Sequence, residues 1–326
     1  MALTRRRPAS LLLLLIAATL LAGRPAAATG KTGNIVVFWG RNKDEGSLRE
    51  ACDTGTYTIA VISFLDVFGR GKYHLDLSGH DVSAVGADIK YCHSKKFLVF
   101  LSIGGFGGHY SLPTAQSAAD VADYLWNAYM LGTREGVHRP FGDAYVDGID
   151  FFLDGGGRPG PDPYDELARR LWDYNKPYRG RVPVQLTATS SCGDRRVGRA
   201  LATGLFTRIF VRFFDYPQCA ANWQQEWDRW TAEQPGAQIY FGLPASEKTV
   251  GYVHPLDLYY DIIPVVQKAA NYGGCASHLK QERDRWTAAQ PSTQIYLDLP
   301  ASERKVGYVH PKQEPPCCYP GGAEGG

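Results

Sequence analysis

Asp147-Gly148-Ile149-Asp150-Phe151-Phe152-Leu153-Asp154 alternates apolar and acidic residues and runs into the glycine-rich stretch Gly155-Gly156-Gly157. A strand has a side-chain period of two, so Ile149, Phe151 and Leu153 share one face while Asp150, Phe152 and Asp154 share the other. The first face is fit for burial beneath a layer of helices. The second holds two carboxyl groups and a phenyl ring, with Asp154 at the strand's C-terminal end, where acids of barrel folds tend to be functional. Two readings of Asp154 stand side by side: a solvated strand-end acid, or a general acid.

Upstream, Asn34-Ile35-Val36-Val37-Phe38-Trp39-Gly40 reads as a buried parallel strand closed by glycine. Residues 58–65 and 97–105 read the same way, and polar, helix-compatible segments lie between them at 46–52 and 81–92. Strand, helix, strand in parallel register implies an α/β barrel or a doubly wound sheet. Downstream, residues 121–130 carry Leu125, Trp126 and Tyr129 on one helical face, and 164–172 read as the next helix. Further strands are expected at 183–188, 208–213 and 238–243, with a helix opening at Pro255.

The chain has 326 residues with 44% apolar and 21% charged content, which suits one barrel-sized soluble domain. Residues 1–28 stand apart. Arg5, Arg6 and Arg7 form a basic head, Leu11 to Leu21 an apolar run, and Ala26-Ala27-Ala28 a small-residue cleavage site, so a secretory signal peptide is expected. Its removal takes Arg5, Arg6, Arg7 and Arg24 from the 35 basic residues, leaving 31 against 33 acids and a net charge of −2. That excludes a nucleic-acid footprint, and no second apolar run argues for a membrane span. Seven cysteines in a secreted chain are disulfide candidates, at least one of them left over. Their spacing fits no metal site, and neither metal nor cofactor is expected.

Residues 275–326 read differently from the rest. At an offset of 56, Asp228-Arg229-Trp230-Thr231-Ala232 returns as Asp284-Arg285-Trp286-Thr287-Ala288, and Gly251-Tyr252-Val253-His254-Pro255 as Gly307-Tyr308-Val309-His310-Pro311. The tail thus duplicates part of 226–255. One copy is too few for a solenoid. A partly disordered end is expected, although residues 294–299 copy the seventh strand and could donate an eighth.

The strand at 147–154 resembles the D-G-x-D-x-D-x-E strand of plant class III chitinases, of glycoside hydrolase family 18, and Ser102-Ile103-Gly104-Gly105 matches that family's S-x-G-G motif. The resemblance selects the TIM (β/α)8 barrel, over residues 29–274, and implies disulfides Cys52 with Cys92 and Cys192 with Cys219. Cys275, Cys317 and Cys318 have no counterpart there. The resemblance also locates the chemistry. The family's final Glu, the general acid, is matched by Asp154, one methylene shorter than a proton transfer over roughly 2.6–3.2 Å allows for. The middle Asp, which steadies the substrate's own acetamido nucleophile, is matched by Phe152. The Tyr that holds the acetamido group is matched by Phe214. Asp150 is retained. No intact catalytic set remains, and an eighth strand of apolar residues is atypical or missing after Gly274, which would leave strands one and seven with open edges.

Within the family, Phe38-Trp39-Gly40-Arg41-Asn42-Lys43 and Ser63-Phe64-Leu65-Asp66-Val67-Phe68-Gly69 resemble the cereal xylanase inhibitor proteins. That implies a secreted, monomeric, apoplastic protein binding microbial endo-1,4-β-xylanases in plant defence. Its contact residues would be Lys176, Tyr178, Arg179 and Arg181 on the loop that faces family 11 xylanases, and His254 at the helix that faces family 10. A guanidinium on a stiff loop would pair with the glutamates of a xylanase cleft. The plainer reading of the same loop is a solvated charge cluster. Leu256 stands where the inhibitors carry a Lys, which favours family 11 over family 10. Two other functions remain open: a residual chitinase, and a lectin for chitin oligosaccharides with Phe152 and Phe214 as stacking platforms.

Overall fold

The computed structural model describes residues 33–107, 109–154, 162–176, 184–193, 196–244 and 246–278. Eight parallel strands form the frame: β1 (Asn34–Trp39), β2 (Ile59–Phe68), β3 (Leu98–Gly104), β4 (Gly148–Phe152), β5 (Gln185–Ser191), β6 (Phe206–Arg212), β7 (Gln238–Pro244) and β8 (Tyr272–His278). Each pairs with its neighbour in sequence, and β8 pairs with β1. The sheet therefore closes into the expected barrel.

Two apolar cores follow from the strand period. Val36, Phe38, Ile59, Val61, Phe64, Phe100, Phe152, Phe210, Tyr240 and Ala276 fill the barrel. The alternate positions, Ile149 and Phe151 among them, face outward into a larger core shared with the helices. Helix α1 (Leu48–Asp53) starts at a capping box in which Ser47 and Glu50 exchange hydrogen bonds, and α2 (Val82–Ser94) starts at Asp81, whose carboxylate accepts from the Ser83 amide. Helix α3 (Ala115–Tyr129) and α4 (Tyr164–Asp173) pack on one another, and α5 (Trp223–Glu233) buries Trp227 and Trp230. The helix opening at Pro255 passes through a π-helical turn at Leu258–Ile262. Among the described residues no helix is long and apolar enough to cross a membrane.

Disulfides Cys52–Cys92 and Cys192–Cys219 are both present, the first joining α1 to α2 and the second anchoring the end of β5. Cys275 is disulfide-bonded as well.

The eighth strand corrects the expectation of an open barrel. It is present and atypical, Tyr272-Gly273-Gly274-Cys275-Ala276-Ser277-His278, and carries the barrel to His278 rather than Gly274. Lack of apolar side chains hid it, yet small residues are what this position requires. A Cβ on Gly274 would lie 1.9 Å from the Asn34 carbonyl oxygen, and one on Gly273 would lie 2.4 Å from the Tyr240 ring. Gly274 also has φ +141°, which a side chain disfavours. The strand approaches β1 and the inward-pointing tyrosine more closely than a bulkier sequence could. The duplicated segment 294–299 lies outside the described residues. Gly274→Ala is expected to lower unfolding free energy by about 2–4 kcal/mol through this closure, read by urea denaturation. A change below about 0.5 kcal/mol would contradict the tight seam.

Candidate functional site

The C-terminal ends of the strands converge on the barrel mouth, and β4 supplies its centre. Before the strand, Asp147 Oδ2 accepts from the Val99 amide at 2.7 Å and lies 2.9 Å from His93 Nε2, which fixes the strand's entry at the opposite end from the mouth. Gly148 follows because a Cβ there would lie 2.0 Å from the Gln185 carbonyl oxygen. Asp150 points inward and is wholly buried. Ser102, Thr187 and Thr189 hydroxyls, from β3 and β5, donate to it at 2.8–2.9 Å. Burial pushes its pKa up to about 6, against those three hydrogen bonds, which pull it down.

Phe152 is also fully buried, its ring against Phe64 at 5.0 Å and Phe106 at 4.9 Å. Beyond it, Asp154 is ion-paired with Arg212 from the end of β6. The pair is buried, the Arg212 side chain 1% exposed and that of Asp154 5%. A second carboxylate, Asp215, accepts from Arg212 Nη1 at 2.8 Å, and Arg196 donates to the Asp154 carbonyl at 2.7 Å. Three rings enclose the guanidinium: Phe152 at 4.8 Å, Phe106 at 4.9 Å and Phe214 at 5.7 Å.

This geometry resolves the two readings of Asp154 against both. It is not a solvated acid, and it is not placed to give a proton to a leaving oxygen, because its carboxylate is committed to a guanidinium. Phe152 packs against the same guanidinium. Phe152 and Phe214 are core side chains rather than sugar-stacking platforms, so the lectin reading loses its two rings. Among the described residues, Phe106, at 38% exposure, and Tyr216, at 37%, are aromatics presented to solvent past the strand ends. Among the described residues no group of His, Cys, Asp and Glu is placed to hold a metal ion.

Arg212 was not singled out in the sequence, although a signal was there. In Phe206-Thr207-Arg208-Ile209-Phe210-Val211-Arg212 the period of two puts Arg212 on the inward face with Phe210. A charge inside a barrel requires a counter-charge, and strands four and six, being alternate, contribute to the same layers.

Of the expected partner contacts, Lys176 and His254 are among the described residues. Lys176 follows α4, is exposed and pairs with Asp173 at 2.7 Å, on the side where the chain enters β5, away from the mouth. Tyr178, Arg179 and Arg181 lie outside the described residues. His254 stands after β7 on the mouth side, where its Nδ1 accepts from the Leu256 amide at 3.3 Å. That is a helix-starting contact. Leu256 is 40% exposed beside it.

Residues 34–312 match the family model described as glycosyl hydrolases family 18. The chain is 57% identical over 274 residues to xylanase inhibitor protein 1 of Oryza sativa subsp. japonica, covering 81% of this chain and 89% of that one. It is 54% identical over 281 residues to xylanase inhibitor protein 1 of Triticum aestivum, covering 83% and 92%. Among solved structures, a xylanase and alpha-amylase inhibitor protein from Scadoxus multiflorus superposes with a TM-score of 0.70 at 34% identity, over 75% of this chain and 92% of that one.

The Asp150 carboxyl yields a pH signature. Its pKa of about 6 in the folded chain exceeds the unfolded value, so the native state binds the proton more tightly and stability is greatest below the ordinary carboxylate range. Stability falls as pH rises to about 6, by roughly 3 kcal/mol, and that contribution is level above. Asp150→Asn removes this slope: the variant's stability minus that of the parent should rise by about 2–3 kcal/mol between pH 4 and pH 7 in urea titrations. A pH-independent difference would show that the buried carboxyl does not titrate there.

Proposed function

The chain belongs to glycosyl hydrolases family 18, and we propose that it uses the barrel as an inhibitor of microbial endo-1,4-β-xylanases rather than as a hydrolase. The observation that carries this reading is the buried Arg212–Asp154 ion pair, packed on Phe152 where the family's chemistry needs an anion. A site spent on internal pairing leaves the outer surface as the working part. The names of the rice and wheat relatives, at 57% and 54% identity, supply the partner class.

In this reading the protein is secreted to the apoplast as a monomer and acts in plant defence. Disulfides Cys52–Cys92 and Cys192–Cys219 suit an oxidising compartment. Family 11 xylanases are the preferred partners. Leu256, at the mouth-side helix, offers an exposed isobutyl group where a cleft lined by glutamates would call for a cation. The basic loop holding Lys176, Tyr178, Arg179 and Arg181 is assigned to the family 11 contact, with Arg179 and Arg181 forming charge-assisted pairs to the cleft glutamates.

The test is inhibition of a family 11 and a family 10 xylanase by the processed protein and by Arg179→Ala/Arg181→Ala. We expect inhibition of the family 11 enzyme, weakened at least 10-fold in the double variant, and little inhibition of the family 10 enzyme. Unchanged family 11 inhibition in the variant would remove the loop mechanism, and no inhibition by the parent protein would remove the function.

A further inference from the structure

One further feature stands on the mouth rim, three strands round the barrel from the Leu256 helix. β2 is longer than the barrel needs. Its last partner on β3 is Ile103, opposite Leu65, and it continues three residues to Phe68. That is roughly 10 Å of strand at about 3.3 Å per residue. The extension is not a loose loop. On one side it pairs antiparallel with His74–Leu75, and on the other parallel with His109–Tyr110.

Its tip is equally constrained. The turn Gly69-Arg70-Gly71-Lys72 closes with the Lys72 amide donating to the Gly69 carbonyl at 3.0 Å. Gly69 adopts φ +94°, and a Cβ there would lie 2.2 Å from the Ser111 carbonyl oxygen, so the turn is seated on the neighbouring segment. Stacked rings fix the base: Phe68 on Tyr110 at 5.0 Å, and Tyr73 on Tyr124 of α3 at 3.5 Å.

The charges on this arm are asymmetric. His74 is held by Asp66 at 2.8 Å, whereas Arg70 and Lys72 at the tip are exposed and have no ion-pair partner among the described residues. His109, opposite Val67 on the adjoining strand, is exposed as well. Two unpaired cations therefore stand on a stiff projection of a protein whose mature net charge is −2. Placing them on a braced turn removes much of the ordering cost that a mobile lysine or arginine incurs on binding.

We propose that the arm at residues 66–74 is a preformed docking element for an acidic protein surface, specifically the carboxylate-bearing rim and cleft of a secreted β-glycanase. This rests on the reading of the chain as a xylanase inhibitor and adds a contact at the barrel mouth. The chemistry is complementary, since glycanase clefts carry paired carboxylates flanking the scissile bond. Exposed cations of this kind act mainly by steering association, within a Debye length of about 8–10 Å at ordinary salt.

The test measures association and dissociation rates of the full processed protein with a family 11 and a family 10 xylanase at low and high salt. Arg70→Glu/Lys72→Glu is compared with Lys268→Glu, an exposed cation on the turn entering β8 at the other end of the barrel. For each xylanase that the parent binds, we expect the tip variant to associate about 10-fold more slowly at low salt, with most of the salt dependence gone. Lys268→Glu should match the parent, and melting curves should superpose. A tip variant that associates like the parent, or a Lys268→Glu variant equally impaired, would overturn the docking arm while leaving the inhibitor reading intact. Absence of binding by the parent protein to either xylanase would overturn both.

Discussion

A guanidinium sealed inside a barrel has to be neutralised where it sits. Arg212 is almost wholly buried, with Asp154 and Asp215 on its nitrogens and Phe106, Phe152 and Phe214 around its plane. Removing one partner of such a pair strands the other, at a cost of about 3–5 kcal/mol. That constraint explains a retained acid in a site that has lost its function: Asp154 persists as the counter-ion of β6. It explains the phenyl ring at 152 as well, since an aspartate there would add a third carboxylate to one guanidinium, whereas a ring covers it. The mouth of the barrel has become an interior.

Once the mouth is packed, the barrel serves as a rigid mount. Its seam depends on close backbone approach at Gly273 and Gly274, and its middle on Asp150 held by three hydroxyls. Among the described residues, what remains exposed includes connections between elements such as the tip of the β2 arm and the Leu256 helix. These two follow different strands of one frame, so a single chain can offer separate surfaces at its mouth. Function resting on surface charge, not on a cavity, also fits the apolar filling of the barrel by six aromatic rings.

Much of the frame was legible because it rests on periodicity. The alternation at 147–154 assigned Ile149, Phe151 and Leu153 to the helix side and Asp150 and Phe152 to the interior, as observed. Two features were not legible for one reason: each depends on a neighbour distant in sequence. β8 has almost no apolar signal, and its glycines make sense only against Asn34 and Tyr240. Asp154 stood open between a solvated acid and a general acid until Arg212, 58 positions later, was placed beside it. The lectin alternative took Phe152 and Phe214 as open rings, because a sequence shows what a side chain is and not what covers it.

The account stands on the claim that this hydrolase frame no longer has a proton donor or an anion available for sugar chemistry. The direct measurement is turnover of a β-1,4-linked N-acetylglucosamine oligomer by the purified protein, followed by product release over many hours at pH 4–7. The account predicts no release above the enzyme-free rate. Multiple turnovers that vanish in Asp154→Asn would contradict it, because they would show the Arg212-bound carboxyl giving up a proton after all.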